Sequence, residues 1–468
     1  MKNRKLIKRI IVVISLVSLL FASQSAASTE QMASSTENYY TILLKKNKNV
    51  NDFISNVEQL GLQVAYYVSE VGIVQVKATE EEIELLGEIG GVDTFNPSLR
   101  ATKPPVNHVF EVQSAARITT LWDYQWDMIQ VTANGQSYDT YAGSNAVVVG
   151  VIDSGIDADH PDLVGNLMQG SKNLVPALGY RGEEPQEFGE INNIEDLSGH
   201  GTHVAGQIGA NGLIKGVAPN VGMKIYRVFG GSSADSVWII KAIIEAANDD
   251  VDVINLSLGE YVVEGDDDDR DDQVAELEGY ERAIKYAIKK GSAVVAAVGN
   301  DSLNFDNEDA LEQYIEEKFP NSDEDDDQEL LDVPADIKGV VTVSSIGPTN
   351  EHSIFTNYGS DLVDIAAPGG DLRLYEQYGP EKWVADQLFM KENILSTALN
   401  GGYTFGAGTS SAAPKVAGAL ALIIEKFQLK DNPEKAIKIL YEKGIDRNNQ
   451  IDERYVGHGV LNVYEALK

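Results

Sequence analysis

The chain has 468 residues, 43 % of them apolar, which suits roughly two to three packed domains rather than a disordered polymer. Its 37 Lys and Arg face 72 Asp and Glu, a formal charge of −35, so nucleic acid and anionic lipid are not expected partners. The absence of cysteine excludes disulfides, thiol catalysis and thiolate metal sites.

Five basic residues, Lys2, Arg4, Lys5, Lys8 and Arg9, precede an apolar run from Ile10 to Phe21, and Ser25-Ala26-Ala27 offers a small-residue cleavage site. This predicts a secretory signal peptide over 1–27, too short for a comfortable membrane span. No later stretch is apolar enough to span, so release from the cell is expected. After a Ser/Thr-rich linker the periods alternate: strand at Tyr39–Leu44, helix at Val50–Leu60, strands at Leu62–Val68 and Gly72–Lys77, helix at Thr79–Ile89, strand at Val92–Phe95. That β-α-β-β-α-β order predicts a small ferredoxin-like unit, and Thr79 with Glu82 reads as a capping box for its second helix. Asn96 to Pro105, with three prolines and no periodicity, reads as an exposed linker, placing a domain boundary near 101/102.

The rest reads as one larger α/β domain over 102–468. Ala146–Ile152 is a continuous apolar run of the kind buried on both faces of a parallel sheet, and similar runs recur at Val221–Val228, Val251–Leu258, Ala293–Ala297 and Val340–Ser344. Helical patterns lie between them at Ala234–Ala247 and Gly279–Lys290, which predicts a doubly wound, mostly parallel sheet. Acidic stretches near 260–278 and 301–332 read as loop insertions with little packed structure, because like charges repel and little apolar area is on offer. Asp371–Lys391 reads as a third insertion. A last helix runs from Val416 to Phe427, directly after Gly406-Ala407-Gly408-Thr409-Ser410-Ser411.

In open α/β sheets ligands collect at the carboxyl ends of strands. Asp153 ends the first apolar run, His200 lies in Ser198-Gly199-His200-Gly201-Thr202-His203, Asn300 follows the Ala293 strand, and Ser410 opens the last helix. Each alone has a plainer reading: a strand-ending turn at Asp153, a capping histidine or a His200/His203 metal pair, a glycine turn at Asn300 and at Gly408. Together they suit acyl transfer. A serine hydroxyl needs a base to take its proton, the histidine needs an oriented carboxylate, and the Asn300 amide with the Ser410 N–H would hold an oxyanion at a helix N-terminus.

These residues sit in VIDSGIDADHPDL (151–163), GHGTHVAG (199–206), VINLSLG (253–259), VVAAVGN (294–300) and GTSSAAPKVAGALAL (408–422), which resemble the motifs of subtilisin-type serine proteases, the subtilase family S8. The resemblance covers about residues 120 to 468. It implies an Asp153/His200/Ser410 triad, an oxyanion hole at Asn300, and a serine endopeptidase that needs no cofactor for its chemistry. It also implies that residues 39–96 are a propeptide, chaperone and inhibitor of the same chain, cut somewhere between Asn96 and Gln113, so that the protein is a zymogen.

The resemblance further implies that an extended peptide adds as a strand beside Gly230, Ser233, Ser257 and Gly259, with Ser257, Leu258, Ala297, Val298 and Gly299 lining the pocket for the residue before the cut. The acidic insertions leave the sheet beside these walls and are expected to favour basic residues there. Trp126-Asp127-Met128 through Tyr138 resembles the corresponding segment of lantibiotic leader peptidases, which clip the leader from a modified bacteriocin precursor. A lantibiotic precursor is then the expected substrate of a secreted monomer, with a broad extracellular protease as the alternative and a catalytically dead, cation-binding or adhesive scaffold as a remote one. Two departures from the family pattern stand out. The loop between Gly206 and Gly216 is shorter than in calcium-stabilised subtilisins, so although Asp162 matches one ligand, a metal site there is not expected, and Lys415 stands where a histidine is common.

Overall fold

The computed structural model describes residues 36–102, 120–231, 233–264, 274–319, 328–447 and 451–468. The expected signal peptide, most of the following linker and the bonds over 103–119 lie outside the described residues. The chain divides into two compact units between Ser98 and Leu99.

In the first unit, β1 (Asn38–Leu44), α1 (Val50–Gln59), β2 (Gln63–Val68), β3 (Ile73–Ala78), α2 (Glu80–Gly87) and β4 (Val92–Pro97) follow the expected order. The strands form one antiparallel sheet in the order β2-β3-β1-β4. Helix α1 buries Val50, Phe53 and Val57, a three-then-four spacing that lays one stripe on the sheet. Thr79 and Glu82 cap α2 reciprocally, as their spacing predicts. Pro97 ends an edge strand, where its missing N–H costs no ladder bond.

The second unit opens with β5 (Arg100–Thr102), and further on has α3 (Trp126–Val131), β6 (Val148–Asp153), β7 (Lys172–Asn173), α4 (His200–Gly209), β8 (Gly222–Arg227), β9 (Ser233–Asp235) and α5 (Ser236–Asn248). Then come β10 (Val253–Leu256), β11 (Glu260–Glu264), α6 (Val274–Lys289), β12 (Ala293–Ala297), α7 (Glu308–Lys318), β13 (Glu329–Val333), β14 (Val340–Ile346), β15 (Ile365–Pro368) and α8 (Arg373–Ala385). The chain closes through β16 (Ile394–Ala398), β17 (Gly402–Gly406), α9 (Thr409–Lys426), α10 (Pro433–Lys443), β18 (Ile445–Asp446) and β19 (Val460–Leu461). Nine strands make one sheet in the order β18-β19-β15-β14-β12-β10-β6-β8-β7, parallel throughout except between β18 and β19. This is the doubly wound sheet that the apolar runs predict.

Helix α9 differs from its expected form. It begins at Thr409, seven residues before the expected start, and is buried on every side through Ile424 rather than along one stripe. Small residues allow this: a Cβ on Gly418 would lie 3.2 Å from the Cβ of Val217, so the helix sits close to its neighbours only because that position is glycine.

The acidic insertions also hold more structure than charge alone suggests. Strands β11 and β13 pair antiparallel, and Val263, Ile315 and Leu330 form a small core with Leu311, Tyr314 and Phe319 packed against it. Leu311, Tyr314 and Ile315 recur at helical spacing on α7, so the carboxylates take the outer face while this stripe is covered. Residues 265–273 and 320–327 lie outside the described residues. Helix α6 starts at Val274, five residues before its expected start at Gly279. Nor is Asn96 to Thr102 an exposed linker: Asn96 is buried, and Ala101 is fully covered within the second unit, because β5 pairs with β9 and satisfies its backbone there.

Candidate active site

Asp153 ends β6, and His200 opens α4, with Gly199 before it at φ 88°, a conformation that suits glycine. The two meet: His200 Nδ1 lies 2.8 Å from Asp153 Oδ1. A carboxylate only accepts, so Nδ1 carries the proton and Nε2 is the basic nitrogen. A second carboxylate, not picked out in the sequence, builds the loop that places this histidine. Asp196 accepts from the N–H groups of Ser198, Gly199 and Thr202 at 2.9, 2.8 and 2.9 Å, from Thr202 Oγ1 at 2.8 Å and from Ser154 Oγ at 2.9 Å. Burial pushes its carboxyl up, but these bonds outweigh burial and hold it below the usual carboxylate range. Ser154 Oγ in turn accepts from the Gly201 N–H at 2.9 Å, tying the Asp153 turn to the first turn of α4. An acid four residues ahead of the histidine was the available signal, and it is too common to carry weight alone.

Ser410 is the second residue of α9 and is 9 % exposed. Gly408, just before the helix, marks where it meets Asn300. A Cβ there would lie 3.1 Å from Ser410 Oγ and 3.6 and 3.8 Å from the two amide atoms of Asn300, so both groups border one point in space. Asn300 Oδ1 accepts from Thr409 N at 2.8 Å and Thr409 Oγ1 at 3.1 Å, which leaves Nδ2 as the end of the amide available for donation. Ser257 Oγ donates to the Ser410 carbonyl at 2.9 Å and accepts from Asn255 Nδ2 at 2.9 Å, fixing the start of the helix from the β10 side. Donors at a helix N-terminus beside a serine hydroxyl can stabilise a developing oxyanion, and a histidine paired with a carboxylate can take the hydroxyl proton.

Ser410 and Asn300 border a cavity of about 680 Å³ that Ser257, Leu258, Gly259, Ala297 and Gly299 also line. Val298 does not line it. It is fully buried against Leu362 and Val363, because successive side chains of an extended chain point to opposite sides. Gly230 also lies away from this cavity, beside the Glu184 carboxylate, which a Cβ would meet at 1.9 Å. Ser233 belongs to β9, whose pairing edge is taken by the chain's own β5. The far wall is acidic: Glu260, Asp301 and Asp332 line the same cavity. Asn357 Nδ2 donates to Asp332 Oδ2 at 3.2 Å and Tyr261 OH to Asp301 Oδ2 at 2.6 Å. Burial pushes the Asp332 carboxyl well above the usual carboxylate range.

Among the described residues, His203 and Asp162 each have protein partners of their own. His203 Nε2 lies 3.3 Å from the Ile394 carbonyl, and burial, reinforced by nearby His200, pushes its pKa down to about 3. Asp162 Oδ2 accepts from Ile214 N at 3.0 Å, and a Cβ on Gly212 would lie 1.9 Å from its Oδ1, so the loop folds directly onto this carboxylate. Among the described residues, no group of three or more His, Asp and Glu is placed to hold a metal ion.

Residues 144–459 match the model of the subtilase family, Peptidase S8, and the chain belongs to that family. It is a subtilisin-type serine endopeptidase, as the doubly wound sheet and the motifs around Asp153, His200 and Ser410 imply. Its relatives include the epidermin leader peptide-processing serine protease EpiP of Staphylococcus epidermidis, 38 % identical over 92 % of this chain and 93 % of that protein. The nisin leader peptide-processing serine protease NisP of Lactococcus lactis is 41 % identical over 74 % of this chain and 49 % of that protein. The crystal structure of EpiP from Staphylococcus aureus superposes with a TM-score of 0.83 at 39 % identity, covering 92 % of this chain and 98 % of that one.

Proposed function

We propose that this protein is a secreted zymogen that removes the leader peptide from a lantibiotic precursor. Two contacts carry the chemistry: Asp153 holds His200 at 2.8 Å, and Ser410 Oγ and the Asn300 amide border the position of Gly408. In this reading His200 Nε2 takes the Ser410 proton and Ser410 attacks the scissile carbonyl. The Asn300 amide and the Ser410 N–H hold the oxyanion, His200 then protonates the leaving amine, and water releases the acyl-enzyme by the same steps. The likeness to two leader-processing proteases supports the substrate class.

The unit over 38–98 acts as the inhibitory propeptide, and the segment after it lies along the substrate edge until self-cleavage within Asn96 to Gln113 releases it. The antiparallel pairing of Arg100–Thr102 with Ser233–Asp235 supports this, since a substrate would add to the same edge. Acidic residues in the cavity favour a basic residue just before the cut. The charged, apolar and small-residue order of residues 1–27 supports secretion, and the mature enzyme acts as a monomer without a metal.

Incubation with a modified lantibiotic precursor and, separately, with casein tests the role. One cut at the leader junction, lost in Ser410→Ala, is the expected result; general digestion of casein would favour a broad extracellular protease instead. Mass spectrometry of the protein recovered from culture medium locates both trimmed ends.

A further inference from the structure

The chain's own segment at the substrate edge carries information about a further position along the substrate. In the pairing of β5 with β9, Arg100 stands opposite Asp235 and Thr102 opposite Ser233. Opposed residues of an antiparallel pair share a face, so Arg100 and Thr102 lie on the side of Ser233 and Asp235, while Ala101 and Ala234 take the other face and are fully buried. The main-chain ladder is indifferent to side-chain identity, yet Arg100 is held by more than the ladder. Its Nε donates to Ser233 Oγ at 2.8 Å, and its guanidinium lies 5.2 Å from the centre of the Tyr180 ring. Tyr180 is buried in the loop after β7, so the ring is a fixed surface. Arg181 faces the same ring at 5.0 Å, but Asp235 Oδ1 stands 3.4 Å from it and offsets its charge, and the Glu183 carboxylate acts on the same tyrosine.

We propose that Tyr180, Ser233 and Asp235 form a distal subsite that selects an arginine or lysine in the substrate, at the residue that pairs opposite Asp235, and that Arg100 occupies it in the uncut chain. The proposal rests on the reading that a substrate peptide adds along β9 once the 100–102 segment has left. A planar guanidinium fits both contacts at once, stacking on the ring while its Nε–H reaches the serine, so arginine is preferred over lysine. Specificity for the leader is then shared between this face and the acidic cavity beside Ser410.

The test uses the full-length protein after self-processing and a set of peptides identical around the scissile bond, with a single arginine walked upstream along otherwise alanine positions. For each peptide, kcat/KM relative to the all-alanine peptide is read for the unaltered protein, Tyr180→Ala, Tyr180→Phe and Ser233→Ala. The ratio does not depend on how much of a variant folds. The expected result is one upstream position at which arginine is favoured by about fivefold to tenfold, with the ratio falling to within about twofold in Tyr180→Ala and surviving in Tyr180→Phe. Ser233→Ala lowers the ratio in part. Equal turnover of all arginine positions, or a preference that Tyr180→Ala leaves intact, overturns the subsite while the protease stands. No cleavage of any peptide overturns the protease reading as well.

Discussion

Lys415 Nζ lies 2.9 Å from Asp127 Oδ2 with both side chains fully buried, and it also donates to the Ser411 carbonyl at 3.0 Å. The pair joins α3, near the start of the catalytic unit, to the helix whose second residue is Ser410. Trp126 Nε1 ties α3 to a second neighbour by donating to the Asn393 carbonyl, just before β16, at 3.0 Å. Two charges removed from water gain little net stability together, but either one left alone is costly. Asp127→Ala should therefore destabilise the protein by about 3–5 kcal/mol in urea denaturation, while Asp127→Leu with Lys415→Met should lie within about 2 kcal/mol of the parent or above it. A double variant as unstable as Asp127→Ala would show that the ion pair itself is required.

Replacing the triad residues separates chemistry from binding. Ser410→Ala and His200→Ala should each lower kcat by about 10⁴- to 10⁶-fold, and Asp153→Asn by about 10⁴-fold, since the wrong tautomer of His200 then faces the serine. Asn300→Leu should cost about 10²- to 10³-fold in kcat with little change in KM, because its amide acts on charge that exists only in the transition state. Peptide hydrolysis over a range of substrate concentrations up to saturation measures kcat and KM for all four. A change confined to KM in Asn300→Leu would place that residue in binding rather than in the oxyanion hole.

Gly201 permits the closest approach in the site. A Cβ there would stand 2.2 Å from the Gly155 carbonyl oxygen and 3.2 Å from Asp153 Oδ1. Backbone cannot move aside cheaply, so Gly201→Ala should separate α4 from the Asp153 turn. The expected cost is about 1–3 kcal/mol in stability and roughly 10²-fold or more in kcat, because small displacements of the base are magnified in rate. Thermal melting and kcat on one preparation check both; an active variant with the parent's melting temperature would refute the contact.

Glu260 gives the pH dependence a defined sign. Its Oε2 accepts from Ser236 Oγ and its Oε1 from Tyr280 OH, each at 2.8 Å, but burial exceeds the effect of these bonds and pushes the carboxyl from 4.5 up to about 7. The unfolded chain releases this proton near 4.5 and the folded chain only near 7. Stability from this group is thus complete below 4.5 and is lost as pH rises through about 7. Glu260→Gln, which keeps an acceptor and loses the titration, should gain on the parent by no more than about 3 kcal/mol between these limits. Urea denaturation at about pH 5 and about pH 8 reads the difference; parallel profiles would refute the assignment.

His203 contributes in the opposite direction. Held near 3 in the fold against 6.5 in an open chain, it favours the folded state above 6.5, and that contribution is lost as pH falls from 6.5 towards 3. Acid unfolding of the parent should therefore begin below about 6.5 with proton uptake, and His203→Gln should remove that share of the uptake in a titration of unfolding against pH.

Local chemistry was legible in the linear order because the family's motifs are short and self-contained. Apolar runs such as Ala146–Ile152 announce strands buried on both faces, Thr79 and Glu82 lie within one helical turn, and Asp153, His200, Asn300 and Ser410 each sit in a turn built of small residues. What needed folding was everything that depends on distant partners. The acid-rich insertion looked unstructured because its charges are written in sequence while the core of Val263, Ile315 and Leu330 spans three separate segments. Val298 lies next to two pocket residues in sequence yet faces away from the pocket, because proximity along the chain does not reveal which way a side chain points. The 2.8 Å contact of His200 with Asp153, the network around Asp196 and the Arg100 contacts each join residues that no periodicity relates. Directed hydrogen bonds and close packing depend on ångström-scale placement, and only the closed sheet with its buried helix supplies that placement.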